Sequence, residues 1–243
     1  MCKTSQTMKF AVIEAGEGSR LAREGVGVPK PLVEVGGETL LDRLVRVFLA
    51  NGATEIDVVC NDLCPSVASH LAQLQRSGAP LHYVVQTTPS SMHSLYALSP
   101  LLEGSPFVLT TVDTIFREDE FARYVGQFRQ MAATGEADGL MGVTDYIDDE
   151  RPLYVKTAEG AMITAFADTD PAPVYISGGI YGLTPPSLAT LRRCIERGDS
   201  RMRNFQRALL ADGLRLRAYP FTKVLDIDHA TDIGKAERFL QQR

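Results

Sequence analysis

The chain has 243 residues, of which 44% are hydrophobic and 23% charged, a balance typical of a globular protein with a proper core. Its formal net charge of −5 argues against a nucleic-acid partner, because binding to a phosphate backbone requires a basic surface. No stretch approaches the roughly 20 apolar residues of a membrane span and the first eight residues carry no apolar run, so we expect a cytoplasmic protein without a membrane partner.

Apolar runs that suit strands alternate with amphipathic runs that suit helices over the first 145 residues. This alternation predicts βα units and a largely parallel sheet with helices on both faces. The predicted strands cover 9–15, 55–61, 81–86, 106–112 and 138–145, and the predicted helices cover 38–51, 63–76, 91–102 and 118–132.

After Tyr146 the pattern changes to shorter extended segments, which predicts a small β-rich insertion over 146–185. We expect a single domain over 1–243 that contains this insertion. The extended segments cover 153–157, 161–168 and 173–183, and they are followed by helices at 186–197 and 201–212, a strand at 214–225 and a closing helix at 230–241.

A glycine-rich segment at 15–21 directly follows the first predicted strand. Its two glycines allow a tight turn in which backbone N–H groups point toward a polyphosphate. Arg20 offers a fork that matches phosphate oxygens, and Lys30 adds a mobile point charge. The segment therefore predicts a triphosphate-binding loop. A Walker loop is excluded because Lys30 lies between Pro29 and Pro31, and a dinucleotide fingerprint is excluded because Leu21 stands where glycine is required.

Residues 12–21 and 29–41 resemble the signature of the nucleotidyltransferases that activate phosphorylated sugars and alcohols, usually written LxAGxGxRL followed by PKPLxxVxGxPLL. Glu14 departs from this signature, since the family usually has a small residue there. The resemblance implies an α/β fold, Rossmann-like, with three α/β/α layers, a mainly parallel mixed sheet and the β-rich insertion on the acceptor side. It also implies a reaction in which a nucleoside triphosphate and a phosphorylated sugar or small alcohol give an NDP-linked product and pyrophosphate.

Such a reaction brings together two anionic phosphates, so the resemblance also implies Mg²⁺, which prefers oxygen ligands. Asp113 ends a predicted strand, where open α/β sheets bind their ligands. Asp226 and Asp228 lie two residues apart on an extended chain and point to the same side. We predict that Asp113 binds the metal together with Asp226, Asp228 or both, whereas Asp232 is predicted as a carboxylate of the first turn of the last helix.

Further positions are predicted for the base and the acceptor. Gln86 ends a strand, and its amide can read the edge of a nucleobase. Residues 87–98 resemble the cytidylyl-transferring branch, with Ser91 as a helix N-cap, and residues 177–181 resemble the Gly-Ile-Tyr strand that lines the acceptor site of sugar-nucleotide enzymes, although a bulged strand explains them equally well. The predicted site comprises Arg20, Lys30 and Asp113 as catalytic residues; Ala15, Gly16, Glu17, Gly18, Ser19, Gln86 and Ser91 for the nucleotide; Lys156, Gly178, Gly179 and Lys223 for the acceptor; and Asp113, Asp226 and Asp228 for the metal.

Several functions stay open at this stage. A CTP-dependent enzyme for a small phosphorylated alcohol is favoured by residues 91–98, and a uridylyl-, thymidylyl- or guanylyltransferase for sugar 1-phosphates is favoured by residues 177–181. A nucleotide-binding regulatory relative without turnover is kept open by Glu14. A molybdopterin-type guanylyltransferase fits less well because it usually lacks the Pro-Lys-Pro-Leu run. The expected partners are a nucleoside triphosphate and a phosphorylated small molecule; a homo-oligomer is neither favoured nor excluded.

Overall fold

The computed structural model describes residues 7–14, 19–148 and 151–242. The helices of these ranges are α1 (Ser19–Arg23), α2 (Leu40–Ala50), α3 (Pro65–Arg76), α4 (Ser91–Leu102), α5 (Glu118–Thr134), α6 (Pro186–Glu196), α7 (Met202–Ala211) and α8 (Ala230–Gln241). The strands are β1 (Lys9–Ile13), β2 (Glu34–Val35), β3 (Glu38–Thr39), β4 (Ile56–Cys60), β5 (Leu81–Val85), β6 (Phe107–Thr111), β7 (Thr114–Ile115), β8 (Gly139–Thr144), β9 (Tyr154–Thr157), β10 (Ile163–Ala167), β11 (Tyr175–Leu183), β12 (Leu216–Phe221) and β13 (Leu225–Asp226).

The helix boundaries follow local signals. α2 begins after Thr39, whose hydroxyl accepts a hydrogen bond from the backbone N–H of Asp42 at 3.0 Å. α5 ends at Gly135, which adopts the left-handed conformation with a φ of 67°. Both devices satisfy backbone groups that a helix end leaves without partners.

The described residues form one nine-stranded sheet in the order β10-β9-β11-β6-β1-β4-β5, with β8 pairing β11 and β12 pairing β8. β1 runs parallel to β4 and β6, and β4 runs parallel to β5. β11 runs antiparallel to both β6 and β8, whereas β12 runs parallel to β8. The sheet is therefore mainly parallel and mixed, as predicted.

Helices cover both faces of this sheet. One core cluster joins side chains of α2, α3 and α5 to Phe10 and Val12 of β1. The other joins α4, α6 and α7 to Ala11 and Ile13, which alternate with the first pair along the strand. The predicted three-layer α/β/α arrangement is confirmed.

Two predicted boundaries differ from the structure. β11, expected within the β-rich insertion, is a central strand of the sheet, and only β9 and β10 extend the sheet as an antiparallel pair. The strand expected at 214–225 is divided into β12 and β13. It breaks because the N–H and hydroxyl of Thr222 donate to the carboxylate of Glu120, at 3.2 and 3.0 Å, instead of continuing the ladder.

The carboxyl ends of the parallel strands meet at one edge, and this edge positions the site. Asp113 lies in the turn between β6 and β7. β13 pairs antiparallel with β7, with Asp226 opposite Thr114, so the acidic segment near the C-terminus is placed next to that turn. None of the described helices is long and apolar enough to cross a membrane.

Candidate functional site

Four side chains from distant parts of the sequence form a connected ionic cluster. Lys30 Nζ lies 2.6 Å from Asp113 Oδ2 and 2.8 Å from Asp228 Oδ1. Arg20 Nη1 lies 3.2 Å from the other oxygen of Asp228. The structure thus brings together all three predicted catalytic residues and one of the two predicted C-terminal metal ligands.

Local structure fixes the two ends of this cluster. Lys30 opens a 3₁₀ turn, Lys30–Leu32, whose preceding residue Pro29 has a fixed φ of −58° and whose next residue, Pro31, is buried. Asp228 precedes α8, and its backbone N–H donates to Asp232 Oδ2 at 3.2 Å, while the N–H of His229 donates to the same oxygen at 2.8 Å. Asp232 therefore acts as the first-turn helix carboxylate that the sequence predicts.

The charges in the cluster stabilise one another. Burial favours a neutral Lys30, whose side chain is only 13% exposed, but the carboxylates of Asp113 and Asp228 outweigh burial and raise the pKa of Lys30. Burial likewise disfavours a charged Asp113, yet Lys30 and a hydrogen bond from Thr111 lower its pKa. A positive and a negative group are thus both held charged at this edge of the sheet.

The donor set of this edge fits a magnesium ion. Carboxylate oxygens of Asp113 and Asp228 converge on the same ammonium group, so they lie close enough to share a cation. The backbone of the segment that contains Asp226 lies next to Asp113, because the N–H of Ile227 donates to the backbone oxygen of Asp113 at 3.2 Å. The described residues contain no group of three or more acidic, histidine or cysteine side chains that could hold a metal ion. Mg²⁺ is commonly held by one or two carboxylates together with substrate phosphates, and Asp113 and Asp228 would be the carboxylates here.

Glu14, the departure from the family signature, is buried at the end of β1 with 9% of its surface exposed. Burial raises the pKa of this carboxyl to about 7, and the nearby charge of Asp113 adds to the shift, whereas a hydrogen bond from the backbone of Asn61 and the charge of Lys30 oppose it.

The predicted nucleotide-binding residues are only partly within the described ranges. Ala15, Gly16, Glu17 and Gly18 lie outside them, and Ser19 is described only as the first residue of α1. Gln86 is exposed directly after β5, and its backbone N–H donates to the oxygen of Cys60 at 2.8 Å.

The prediction that Ser91 caps α4 is wrong. Ser91 is the first residue of that helix, and the N-cap is Ser90, which has the extended backbone of a cap. The hydroxyl of Ser90 makes no capping bond and instead contacts His93 Nδ1 at 2.9 Å and accepts from the backbone N–H of Arg201 at 3.3 Å.

A cavity of about 330 Å³ opens beside the ionic cluster, between the ends of β8 and β11, β13 and α8. Arg20 and Asp228 belong to both the cluster and the cavity wall. The other polar side chains of the wall are Thr144, Tyr146, Asp148, Arg151, Ser177, Asp226, His229, Thr231, Asp232 and Lys235. Sequence reasoning missed Arg151 and Lys235, because isolated basic residues give no signal until the fold collects them.

The predicted acceptor residues are distributed unevenly around this cavity. Gly178 lines it, and the next residue, Gly179, has a φ of 70°. Lys223 Nζ lies over the ring of Tyr146, a wall residue, at 3.8 Å from its centroid. Lys156 lies on β9, 3.8 Å from Asp170, and is not among the residues that line the cavity.

Comparisons with known proteins give a family and a fold. A family model described as "MobA-like NTP transferase domain" matches residues 11–211. The chain is 29% identical over 175 residues to "CMP-5'-(3-aminopropyl)phosphonate synthase" of Streptomyces rubellomurinus, covering 65% of this chain and 27% of that protein. It is 28% identical over 244 residues to "Bifunctional IPC transferase and DIPP synthase" of Rubrobacter xylanophilus, covering 95% and 51%. The chain thus spans about half of the second relative and less of the first.

Two solved structures share the fold. One, assigned as a glucose-1-phosphate thymidylyltransferase from Bacillus anthracis, has a TM-score of 0.83 and 19% identity, covering 98% of this chain and 96% of that one. The other, the inositol-1-phosphate CTP transferase from T. maritima, has a TM-score of 0.77 and 17% identity, covering 98% and 97%. At these identities the similarity shows the fold alone.

Proposed function

Because this chain belongs to the MobA-like NTP transferase family, we propose that it transfers a nucleoside monophosphate from a nucleoside triphosphate to the phosphate of a small sugar or alcohol and releases pyrophosphate. The contact of Lys30 with both Asp113 and Asp228 carries this proposal. Lys30 is a cation that can neutralise phosphate, and Asp113 and Asp228 are carboxylates that can bind a metal. The three lie together at the edge where open α/β sheets bind their ligands.

Arg20 and Lys30 would hold the triphosphate, as would the backbone of residues 15–18. Lys30 is kept charged by its carboxylate partners, so it is available to a phosphate oxygen at any physiological pH. Arg20 is half exposed, and its one ion pair within the described residues is to a single oxygen of Asp228 at 3.2 Å, so its fork can contact a second anion.

Asp113, with Asp226, Asp228 or both, would hold Mg²⁺. When bound there, Mg²⁺ supplies charge screening between the phosphates of the two substrates. The carboxylates in turn fix where Lys30 stands, because each lies within 2.8 Å of its ammonium group.

The acceptor would occupy the adjoining cavity, where Arg151 and Lys235 add positive charge to the wall. Its phosphate would attack the α-phosphorus, and the contribution of the protein is to hold the two in line. Because Arg20 and Asp228 line the cavity and belong to the ionic cluster, the two substrates would meet at these residues.

CTP is the proposed nucleotide. The relative from Streptomyces is named for a CMP-linked product and the structural neighbour from T. maritima for CTP, which agrees with the resemblance of residues 87–98 to the cytidylyl-transferring branch. We propose a small phosphorylated alcohol as acceptor. Cytoplasmic location, a single domain and the roles of Gln86, Ser91, Lys156 and Lys223 stay predictions.

A sugar-1-phosphate nucleotidyltransferase is the second candidate, because Gly178 of the predicted Gly-Ile-Tyr strand lines the cavity. A regulatory relative without turnover differs from both enzymes in releasing no pyrophosphate.

The test measures pyrophosphate release with Mg²⁺, five nucleoside triphosphates and a panel of phosphocholine, inositol phosphate and sugar 1-phosphates. We expect release with CTP and one small phosphorylated alcohol, and none from Asp113→Ala. Release by Asp113→Ala at the wild-type rate would contradict the site. Absence of release across the panel, with CTP still bound, would favour the regulatory alternative.

A further inference from the structure

The carboxyl of Glu14 is incompletely satisfied. One interaction comes from the backbone N–H of Asn61, at the end of β4. Only 9% of the Glu14 surface is exposed, and its oxygen Oε2 has no hydrogen-bond partner among the described residues. An unpaired buried acceptor costs about 1–3 kcal/mol, so natural proteins keep one mainly where something else supplies the missing donor.

Glu14 lies near segments that the sequence predicts to contact the base. The hydroxyl of Ser94, on α4, donates to the backbone oxygen of Glu14 at 3.4 Å. The backbone oxygen of Cys60, which precedes Asn61, accepts a hydrogen bond from the backbone N–H of Gln86 at 2.8 Å. Glu14 thus contacts α4 directly, and β4, the strand next to β1, pairs with β5. The sequence predicts contacts to the base at the start of α4 and the end of β5.

The neighbouring side chains do not donate a hydrogen bond to Glu14 Oε2. Lys30 influences Glu14 through its charge, and its ammonium group bonds to Asp113 and Asp228, whereas Oε2 of Glu14 has no hydrogen-bond partner among the described residues. Asp113 repels a charged Glu14. The side-chain oxygen of Asn61 accepts from the N–H of Leu63 at 2.8 Å and from Thr87 Oγ1 at 2.7 Å, and as an acceptor it cannot supply the missing donor.

We propose that Glu14 selects the nucleobase: its free oxygen accepts a hydrogen bond from the exocyclic amino group of cytosine and so discriminates CTP from UTP. This inference rests on the proposed function, which it extends from a nucleotide class to one residue.

The chemistry of the two bases supports this assignment. Cytosine carries an N4 amino donor, which carboxylates accept, whereas uracil carries an O4 acceptor at the same position. An ionised carboxylate has no proton to donate, so it pairs with the first and repels the second. A single good pair of this kind corresponds to about tenfold discrimination.

The chain offers a matched control for this idea. Asp57 is also a buried acid, with no hydrogen bond to its oxygens but with His82 Nδ1 at 3.4 Å from Oδ1, and it lies near the start of β4, at the opposite end of that strand from Asn61. Changing it alters buried charge in the same sheet without touching the proposed base contact.

The test compares the wild type with Glu14→Gln, Glu14→Leu and Asp57→Asn at about pH 8, above the pKa of Glu14 of about 7. Two quantities are measured for CTP and UTP: kcat/KM by pyrophosphate release, and Kd by calorimetry without acceptor. Circular dichroism establishes that each variant is folded.

We expect the wild type to prefer CTP and Glu14→Gln to lower the CTP:UTP ratio about tenfold, because the new amide donates to O4 of uracil. Glu14→Leu should weaken CTP and improve UTP, because it removes both the acceptor for N4 and the repulsion of O4, and Asp57→Asn should keep the wild-type ratio.

An unchanged ratio in both Glu14 variants, with CTP and UTP weakened equally, would overturn the inference, as would a wild type that prefers UTP or a purine nucleotide. Turnover failing in the wild type while the Kd ratios shift as expected would contradict the proposed reaction and support the base contact. The two proposals are therefore tested separately.

Discussion

Gly179 lies so close to Thr114 that a methyl group added at residue 179 would come 3.0 Å from Thr114 Oγ1. The same methyl group would lie 3.3 Å from Thr111 Oγ1, and the two hydroxyls are hydrogen-bonded to each other at 2.5 Å. Thr111 and Thr114 flank Asp113, so the backbone of β11 packs directly against the turn that carries the proposed metal ligand.

Gly179→Ala should therefore impair both stability and catalysis. A side chain at a φ of 70° costs about 1 kcal/mol, and the crowding against the two threonines adds roughly 1–3 kcal/mol. Displacement of Asp113 should lower kcat. Urea denaturation and pyrophosphate release measure the two effects. Gly213→Ala is the control, since Gly213 has a φ of 82° and no atom near its missing side chain. It should lose about 1 kcal/mol and keep full activity; equal losses in the two variants would show that crowding at Gly179 is unimportant.

Lys30→Met should abolish turnover, because it removes the proposed triphosphate cation while keeping the length of the side chain. It also leaves Asp113 without its partner, so the pKa of Asp113 should rise and the variant should be less stable at neutral pH than at acidic pH, where the carboxyl is protonated. Activity assays and denaturation at two pH values test this. Lys9→Met, which breaks an ion pair with Glu55 at 2.8 Å, should retain turnover. A Lys30→Met enzyme with normal kcat/KM would refute the assignment.

Asp57 should make stability depend on pH. It is fully buried, and desolvation raises the pKa of its carboxyl from 3.8 to about 6. Because the folded state prefers the neutral acid, its contribution is present below about pH 4 and is lost as the pH rises through 6. Asp57→Asn should therefore stabilise the protein by about 2–3 kcal/mol at pH 7.5 and have little effect near pH 4.

Denaturant midpoints at the two pH values measure this difference. The control is Asp119→Asn, which removes an exposed carboxylate that pairs with Arg123 at 2.9 Å, and it should show no such gain. A stability difference for Asp57→Asn that is independent of pH would mean that the carboxyl is not the cause.

Lys235→Met should weaken acceptor binding selectively. Lys235 Nζ lies 3.1 Å from both Asp148 and Asp232 at the cavity wall. Without it the two carboxylates repel a phosphorylated acceptor, so the KM for the acceptor should rise about tenfold while the KM for the triphosphate stays constant. The control is Asp148→Asn, which removes a negative charge from the cavity wall where Lys235→Met removes a positive one, and it should not raise the acceptor KM. If the triphosphate KM rises instead, this cavity does not hold the acceptor.

Much of the fold follows from local sequence. α4 has the predicted bounds, 91–102, and the ends of α3 and α8 also agree, because amphipathic periodicity and glycine stops are properties of neighbouring residues. The pairing of β11 was not predictable, since an extended run does not reveal which strands it will join. α1 was missed because it is a single short segment of five residues.

The site, like the fold, has features that local sequence predicts and features that depend on the folded chain. Lys30 and Asp113 were recognisable from their motifs, but their contact and the bridge from Lys30 to Asp228, 198 residues away, exist only in the folded chain. Arg151 and Lys235 are in no motif. The unpaired oxygen of Glu14 is likewise a property of burial, although the sequence had already marked this residue as a departure from the family pattern.

Because β11 runs antiparallel to β6, the chain leading into β11 reaches the same edge of the sheet as Asp113, which follows β6. The first residues of β11, including Ser177 and Gly178, lie at that edge, next to the end of β8 and residues 145–148. The proposed nucleotide contacts all come earlier, before Asp113, apart from the acidic segment next to α8. Under the proposed roles, the contacts to the nucleotide and to the acceptor come from separate stretches of chain. We therefore predict that replacing residues 145–174 with those of a relative changes the acceptor that is used, without interrupting β1, β4, β5 or β6.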